Sequence, residues 1–282
     1  VGKSTVFNAL TGLKQHTGNW VGKTVGNAAG SYTYNNNKYL ITDLPGTYSL
    51  CAHSAEEIIA CRHICLEKPD VTVIVCDASC LERNLNLVLQ ITEITSKAVL
   101  CVNMMDEAEK KNIKTDITKL SQQLGIPVAA TSARSKKGLD KLMQAIESVA
   151  LSKESNDITL VYTSRIENAI SQLLPLTEKI ETDSRTKRFI CLKLLQGDSD
   201  TVDSLCKKHG TDDNYLKALI SAADRLTDHN FTDEIISCIF ITAEGIAAEC
   251  VKRSADKKQV RDRKIDRILT GKLTGIPIML LM

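Results

Sequence analysis

Residues 98–106 read Ala98-Val99-Leu100-Cys101-Val102-Asn103-Met104-Met105-Asp106. Ala98–Val102 is an unbroken apolar run, of the kind found in strands buried on both faces of a parallel sheet. Such sheets bind ligands beyond the carboxyl ends of their strands. Asn103 and Asp106 stand at such an end. A carboxylate at Asp106 can accept two hydrogen bonds, from the N1–H and the 2-amino group of guanine, and adenine has no such donor pair on that edge. Asn103 would brace the loop that carries it. The competing reading of Asp106 is a helix cap.

Moving outward from this stretch, two further motifs precede it: Asp43-Leu44-Pro45-Gly46 and, at the start of the chain, Gly2-Lys3-Ser4-Thr5. Each alone is weak, since Pro-Gly is common in turns and a glycine often joins a strand to a helix. In this order and at these spacings the three describe a guanine-nucleotide switch. Gly2 and Lys3 end a phosphate-binding loop, with Lys3 at the β- and γ-phosphates. The Ser4 hydroxyl would ligate magnesium, and Thr5 opens a helix whose N-terminus faces the phosphates. Asp43 would hold magnesium through water, and the Gly46 N–H would meet the γ-phosphate. A threonine upstream of Asp43 should supply a second magnesium hydroxyl. Thr17, Thr24 and Thr33 are the candidates, and Thr24 is preferred because it lies in a glycine-rich loop midway between Lys3 and Asp43. Lys3, Thr24 and Gly46 are therefore the expected catalytic set, and Ser4, Thr24 and Asp43 the metal set. Trp20, the single tryptophan, falls in the same loop and is expected to report on a nucleotide-dependent switch.

Thr131-Ser132-Ala133-Arg134 resembles the last guanine motif, in which an alanine N–H contacts the guanine O6, so Ser132 and Ala133 join the expected base-side set. Thr47 follows Gly46, where Ras-like switches carry a glutamine that orients the attacking water. A short hydroxyl cannot reproduce that geometry, so intrinsic hydrolysis should be slow or depend on another group, such as a monovalent cation. A full phosphate loop reads Gly-x-x-x-x-Gly-Lys-Ser/Thr after a strand. Val1 is its last x, so the loop start and its strand are expected upstream.

Segment patterns give an α/β domain followed by an all-α one. Helix is expected at 4–12, 54–65, 84–95, 116–124 and 139–149. A hairpin is expected from Ser31–Tyr34 and Tyr39–Asp43 about Asn35-Asn36-Asn37. Buried strands are expected at Val71–Cys76, Ala98–Val102 and Pro127–Ala130. Alternation of this kind implies a mostly parallel sheet covered on both faces. After a polar linker at Ser152–Asp157 the pattern is helical, with no strand expected between Arg165 and Thr270. The helices fall at 165–181, 187–195, 201–208, 212–225, 232–252 and 256–269. The implied units are a P-loop GTPase domain at 1–151, a helical domain at 152–270 and the start of an apolar segment at 271–282.

The 282 residues suffice for two domains, and 43% are hydrophobic, enough for a packed core in each. Net charge is +2, from 36 basic and 34 acidic residues, which argues against a nucleic-acid protein held by bulk charge. The ten cysteines form no regular framework and no secretory signal precedes them, so they read as reduced thiols. Cys61-Arg62-His63-Ile64-Cys65 lacks the spacing of a paired zinc knuckle and reads as a helix. Lys252, Arg253, Lys257, Lys258, Arg261, Arg263, Lys264, Arg267 and Lys272 precede the apolar Gly275–Met282 run, a positive excess typical of the cytoplasmic side of a membrane span.

Several strings go beyond general switch motifs. Gly18-Asn19-Trp20 leading to Gly22-Lys23-Thr24-Val25, then Asp43-Leu44-Pro45-Gly46-Thr47-Tyr48-Ser49-Leu50 and Asp77–Leu85, resemble the bacterial ferrous iron transporter B (FeoB) family. Leu192–Asp198, Lys264–Thr270 and Gly275-Ile276-Pro277 extend the resemblance over almost the whole chain, although Val21 and Lys23 depart from the family's loop. The resemblance implies a cytosolic GTPase binding GTP or GDP with Mg2+, a helical domain that modulates nucleotide affinity, and a membrane domain outside this sequence that handles Fe2+. It implies potassium-stimulated hydrolysis through an upstream asparagine, small Feo accessory proteins as partners, a homo-oligomer among its states, and a place at the cytoplasmic face of the inner membrane. The alternative is a soluble GTPase of ribosome assembly or tRNA modification with a helical accessory domain. Such an accessory domain should be strongly basic or aromatic, whereas residues 165–250 hold one Tyr, three Phe and charges of both signs. A regulatory binding module without useful turnover is the third reading, left open by Thr47.

Overall fold

A computed structural model describes residues 2–13, 28–47, 55–152, 160–226 and 231–253. Thr17, Trp20 and Thr24, the Tyr48–Leu50 string, the 256–269 helix and the apolar terminal run lie outside them.

The chain enters through α1 (Lys3–Thr11), with Gly2 at φ 78° before it and Gly12 at φ 72° after it. Val6, Phe7 and Leu10 form its buried face. The hairpin β1 (Ala28–Tyr34) and β2 (Asn37–Asp43) pairs Tyr34 with Asn37 around a two-residue loop. Asn35 and Asn36 both have positive φ, as a type I′ hairpin turn requires. The strands are thus longer than expected, and Asn37 belongs to the ladder. Next comes α2 (Ala55–Arg62), which passes into a π turn at His63–Glu67. β3 (Thr72–Asp77), α3 (Leu81–Ile94), β4 (Ala98–Asn103) and α4 (Met105–Lys110) follow, then β5 (Ile113–Thr115), α5 (Ile117–Leu124), β6 (Val128–Ala130) and α6 (Leu139–Leu151).

β3, β4 and β6 form a parallel sheet in that order, with Asp77 beside Asn103. All six residues of β4 are buried, and its two faces feed two cores. Val99 and Cys101 pack with Val6, Leu10, Leu142, Met143 and Ile146, beneath α1 and α6. Ala98, Leu100 and Val102 pack on the opposite side with Leu85 and Val88. Among the described residues no ladder joins the hairpin to β3. Instead α1 packs against both strands of the hairpin, whose Tyr32, Tyr34 and Tyr39 lean on its core.

The helical part comprises α7 (Ser164–Leu173), α8 (Ser184–Leu195), α9 (Ser199–Lys208), α10 (Asp213–Leu226) and α11 (Phe231–Cys250). Thr163, Asp183 and Asp198 cap α7, α8 and α9 by accepting from the backbone N–H of Ile166, Thr186 and Thr201. The helix expected at 165–181 stops at Leu173 and yields to a 3₁₀ turn containing Pro175, which has no N–H to continue the ladder. α11 lies along α3, so Ile235 and Ile239 share one apolar cluster with Leu85 and Val88. The expected absence of strands after Arg165 is wrong at one place. α11 ends at Cys250, and β7 (Val251–Arg253) pairs antiparallel with β5. No described helix is long and apolar enough to cross a membrane.

Candidate functional site

The base-side loops are built around Asn103. It ends β4 with 2% of its surface exposed, so its amide must find partners inside the protein. Its Oδ1 accepts from the Thr131 hydroxyl at 3.1 Å and from the Ala133 N–H at 3.0 Å. Thr131 and Ala133 follow β6, so one side chain ties the loops beyond two neighbouring strands. The Met105 N–H donates to the Thr131 carbonyl at 3.2 Å, and the Asp106 N–H donates to Ser132 Oγ at 3.2 Å. These bonds fix the first turn of α4 and so the place of the partly exposed Asp106. Met104 precedes that turn at φ 62°, a left-handed kink that takes the chain off the sheet.

The Ala133 N–H, expected to face the guanine O6, donates to Asn103 Oδ1 in this structure. Thr131, which the motif reading passed over, is an equal partner. A hydroxyl just past a buried strand was the available signal. Gly138 was passed over as well. It sits at φ 78°, and a Cβ there would lie 2.1 Å from the Ala130 carbonyl oxygen. Ser132 and Lys137 bridge just before it, at 3.0 and 3.3 Å.

The phosphate-side residues meet this frame from above. Gly2 turns the chain into α1 at φ 78°, and a Cβ on it would lie 2.5 Å from Asn103 Nδ2. Only glycine lets the loop approach the amide that also braces Asp106. Ser4 and Thr5 fall in the first turn of α1. The Lys3 ammonium donates to the Asp43 carboxylate and the Leu44 carbonyl, bringing the first two motifs together at the end of β2. Asp43 is nearly buried, with 9% of its side chain exposed. Beyond Gly46, the Thr47 hydroxyl donates to Glu57 of α2 at 3.3 Å. Gly2 thus meets Asn103 at the end of β4, Lys3 meets Asp43 at the end of β2, and Asp106 and Ser132 are joined in the loops after β4 and β6. Thr24 is outside the described residues.

Cys61 and Cys65 are both buried, on α2 and on the π turn that continues it. Among the described residues no group of three His, Cys, Asp or Glu side chains is placed to hold a metal.

A parallel sheet with a glycine-led helix, an Asp-x-x-Gly turn and a braced Asn-x-x-Asp loop at one end defines a P-loop GTPase domain, here followed by a helical domain. The family described as "Ferrous iron transport protein B" matches residues 1–146, and "FeoB cytosolic helical domain" matches residues 162–252. The chain belongs to the ferrous iron transport protein B family. It is similar to the Fe(2+) transport protein A/Fe(2+) transporter FeoB fusion protein of Porphyromonas gingivalis, with 34% identity over 99% of this chain and 34% of that protein. The Fe(2+) transporter FeoB of Shigella flexneri is 37% identical over 99% of this chain and 36% of its own length. The chain therefore spans about a third of the curated relatives it matches. Among solved structures, the cytosolic domain of the T. maritima FeoB transporter in its GMPPNP form superposes with a TM-score of 0.73 at 30% identity, covering 89% of this chain and 95% of that one.

Proposed function

We propose that this chain binds and hydrolyses GTP as the regulatory part of a bacterial ferrous iron transporter, its nucleotide state governing iron uptake. The carrying observation is the Asn103 network, which holds the Asp106 loop and the phosphate-loop glycine in one frame. Asp106 pairs with the guanine N1–H and 2-amino group. Lys3 neutralises the β- and γ-phosphates, and its present partner Asp43 shows how close the two motifs come. The Gly46 N–H meets the γ-phosphate. Ser4, Thr24 and Asp43 supply hard oxygen donors of the type magnesium takes, Asp43 through water. When bound, that ion offsets the charge of the phosphates. Thr47 cannot orient a water as glutamine does, and its hydroxyl is engaged with Glu57, so intrinsic turnover is slow, and the family resemblance implies that potassium raises it. In this reading 1–151 is the GTPase domain, 152–270 modulates nucleotide affinity, and 271–282 opens a membrane region that handles Fe2+. The region then sits at the cytoplasmic face of the inner membrane, with small Feo accessory proteins as partners and self-association open to it. Family membership disfavours the ribosome-assembly alternative.

The test is nucleotide titration of a chain carrying the whole phosphate loop. Asp106→Asn should weaken GTP binding by about 2–3 kcal/mol, the cost of unpairing charge-assisted bonds, and should shift preference toward xanthine nucleotides. Equal GTP binding by the two proteins would remove Asp106 from the site.

A further inference from the structure

The junction of α2 with the π turn at His63–Glu67 carries two thiols. A π turn closes i→i+5 bonds in place of i→i+4. Residues four apart share one face of a helix. Lys68 ends it at φ 45°, a left-handed value that costs a lysine energy. Cys61 and Cys65 fall across this stretch with their Sγ atoms 3.9 Å apart. Each is 4% exposed, and both α2 and the π turn pack against α9 of the helical domain. The hydrogen bond between the two sulfurs holds Cys61 below the ordinary thiol range against the opposing effect of burial, with Lys193 assisting. Cys65 is pushed well above that range by the same bond and by burial. The pair is thus asymmetric, with one sulfur suited to attack and the other held back.

We propose that Cys61 and Cys65 form a reversible intrahelical disulfide, with a small hydroperoxide as the oxidant. Burial selects that class, because neither sulfur leaves room for a protein disulfide to approach. The Cys61 thiolate attacks the peroxide, the O–O bond breaks, and a sulfenic acid and hydroxide result. The Cys65 sulfur then attacks Cys61, the S–O bond breaks, and a second hydroxide leaves. The two thiols give up two protons and two electrons, and hydrogen peroxide becomes two waters. The sulfurs must close from 3.9 Å to about 2.05 Å. The bond would fix the wide turn of α2 where it meets α9, so oxidation would be felt between the switch-bearing domain and the helical one.

The experiment treats the native chain with hydrogen peroxide, alkylates it in denaturant without reduction, and digests it with trypsin. Cleavage after Arg62 separates the two cysteines, so a disulfide leaves their peptides joined and dithiothreitol releases them. Exposed Cys80 reports that the oxidant has acted. The expected result is a joined Cys61–Cys65 pair, together with a dimedone-reactive Cys61 in Cys65→Ser. Recovery of both peptides alkylated after Cys80 has been oxidised would overturn the proposal. So would over-oxidation of Cys61 beside a free Cys65. Because the wild-type chain alone decides between these outcomes, poor folding of Cys65→Ser does not protect the idea.

Discussion

Asn103 carries more of the site than its motif position declares. Its amide oxygen serves two donors from beyond β6, and its amide nitrogen lies against Gly2. Asn103→Ala should strand the Ala133 N–H inside the protein and leave the Thr131 hydroxyl only the Cys101 sulfur, at about 1–3 kcal/mol for a group left unpaired. A lowered urea midpoint with an unchanged slope would register that loss. Gly138→Ala should also destabilise the fold, by about 1–3 kcal/mol, since it combines left-handed backbone with a contact to the Ala130 carbonyl. A midpoint equal to that of the native chain would refute this account. Asn103 and Asp106 were readable in the sequence as candidates because the proposed base recognition demands those groups at that spacing. The destination of the Ala133 N–H was not, because it depends on the register that sets β6 beside β4.

At the scale of elements, legibility follows apolar runs. β3 and β4 each have six residues, rich in apolar side chains, and their pattern alone placed them. β6 has only three but is wholly apolar, and it was placed too. β5 and β7 also have three residues each, with charged side chains among them, so no run marked them. Their pairing comes from tertiary approach, with the Asp116 N–H reaching the Cys250 carbonyl at 2.8 Å. The overrun of α7 past Leu173 was avoidable, since Pro175 is a local breaker that periodicity should not outvote. The π turn left no trace in the pattern at all. Lys252→Pro, in the middle of β7, should remove ladder bonds and expose β5. Native-state hydrogen exchange should then quicken at Ile113–Thr115 while α11 keeps its protection. Equal protection at β5 would mean that β7 does not secure it.

Across the whole molecule, the two domains are joined by apolar packing and by polar contacts, among them a hub at Arg188. Arg188 of α8 donates two bonds to Glu167 at 2.7 and 2.8 Å and one to the Leu160 carbonyl at 3.1 Å, and it faces Glu93 of α3 at 3.8 Å. Arg188→Leu should cost about 2–3 kcal/mol, less than a fully sealed pair because Glu167 is partly exposed. Chemical denaturation measures it. Burial raises the Glu93 carboxyl above its usual range, against the opposing Leu160 N–H and Arg188. A raised folded-state value favours the protonated form, so this contribution is full below about pH 4 and fades as pH rises through the folded value. Glu93→Gln should therefore gain stability relative to the native chain as pH climbs out of the acid range. A difference that stays flat or reverses between about pH 4 and pH 7 would show that Glu93 is not held in that state.

The β5–β7 joint has a mechanical consequence. Arg253 sits opposite Ile113, so the rung nearest the outgoing chain is also the rung nearest α4. Tension on that chain, directed away from the sheet, loads the rungs singly, as a zipper opens, and not all together as in shear. α11 has its own moorings, since Glu249 meets Lys119 at 2.9 Å and Gln123 at 2.6 Å. A tug beyond Arg253 would therefore let go at Ile113 first. Slack would then reach the helix bearing Asp106 before the helical domain felt the load.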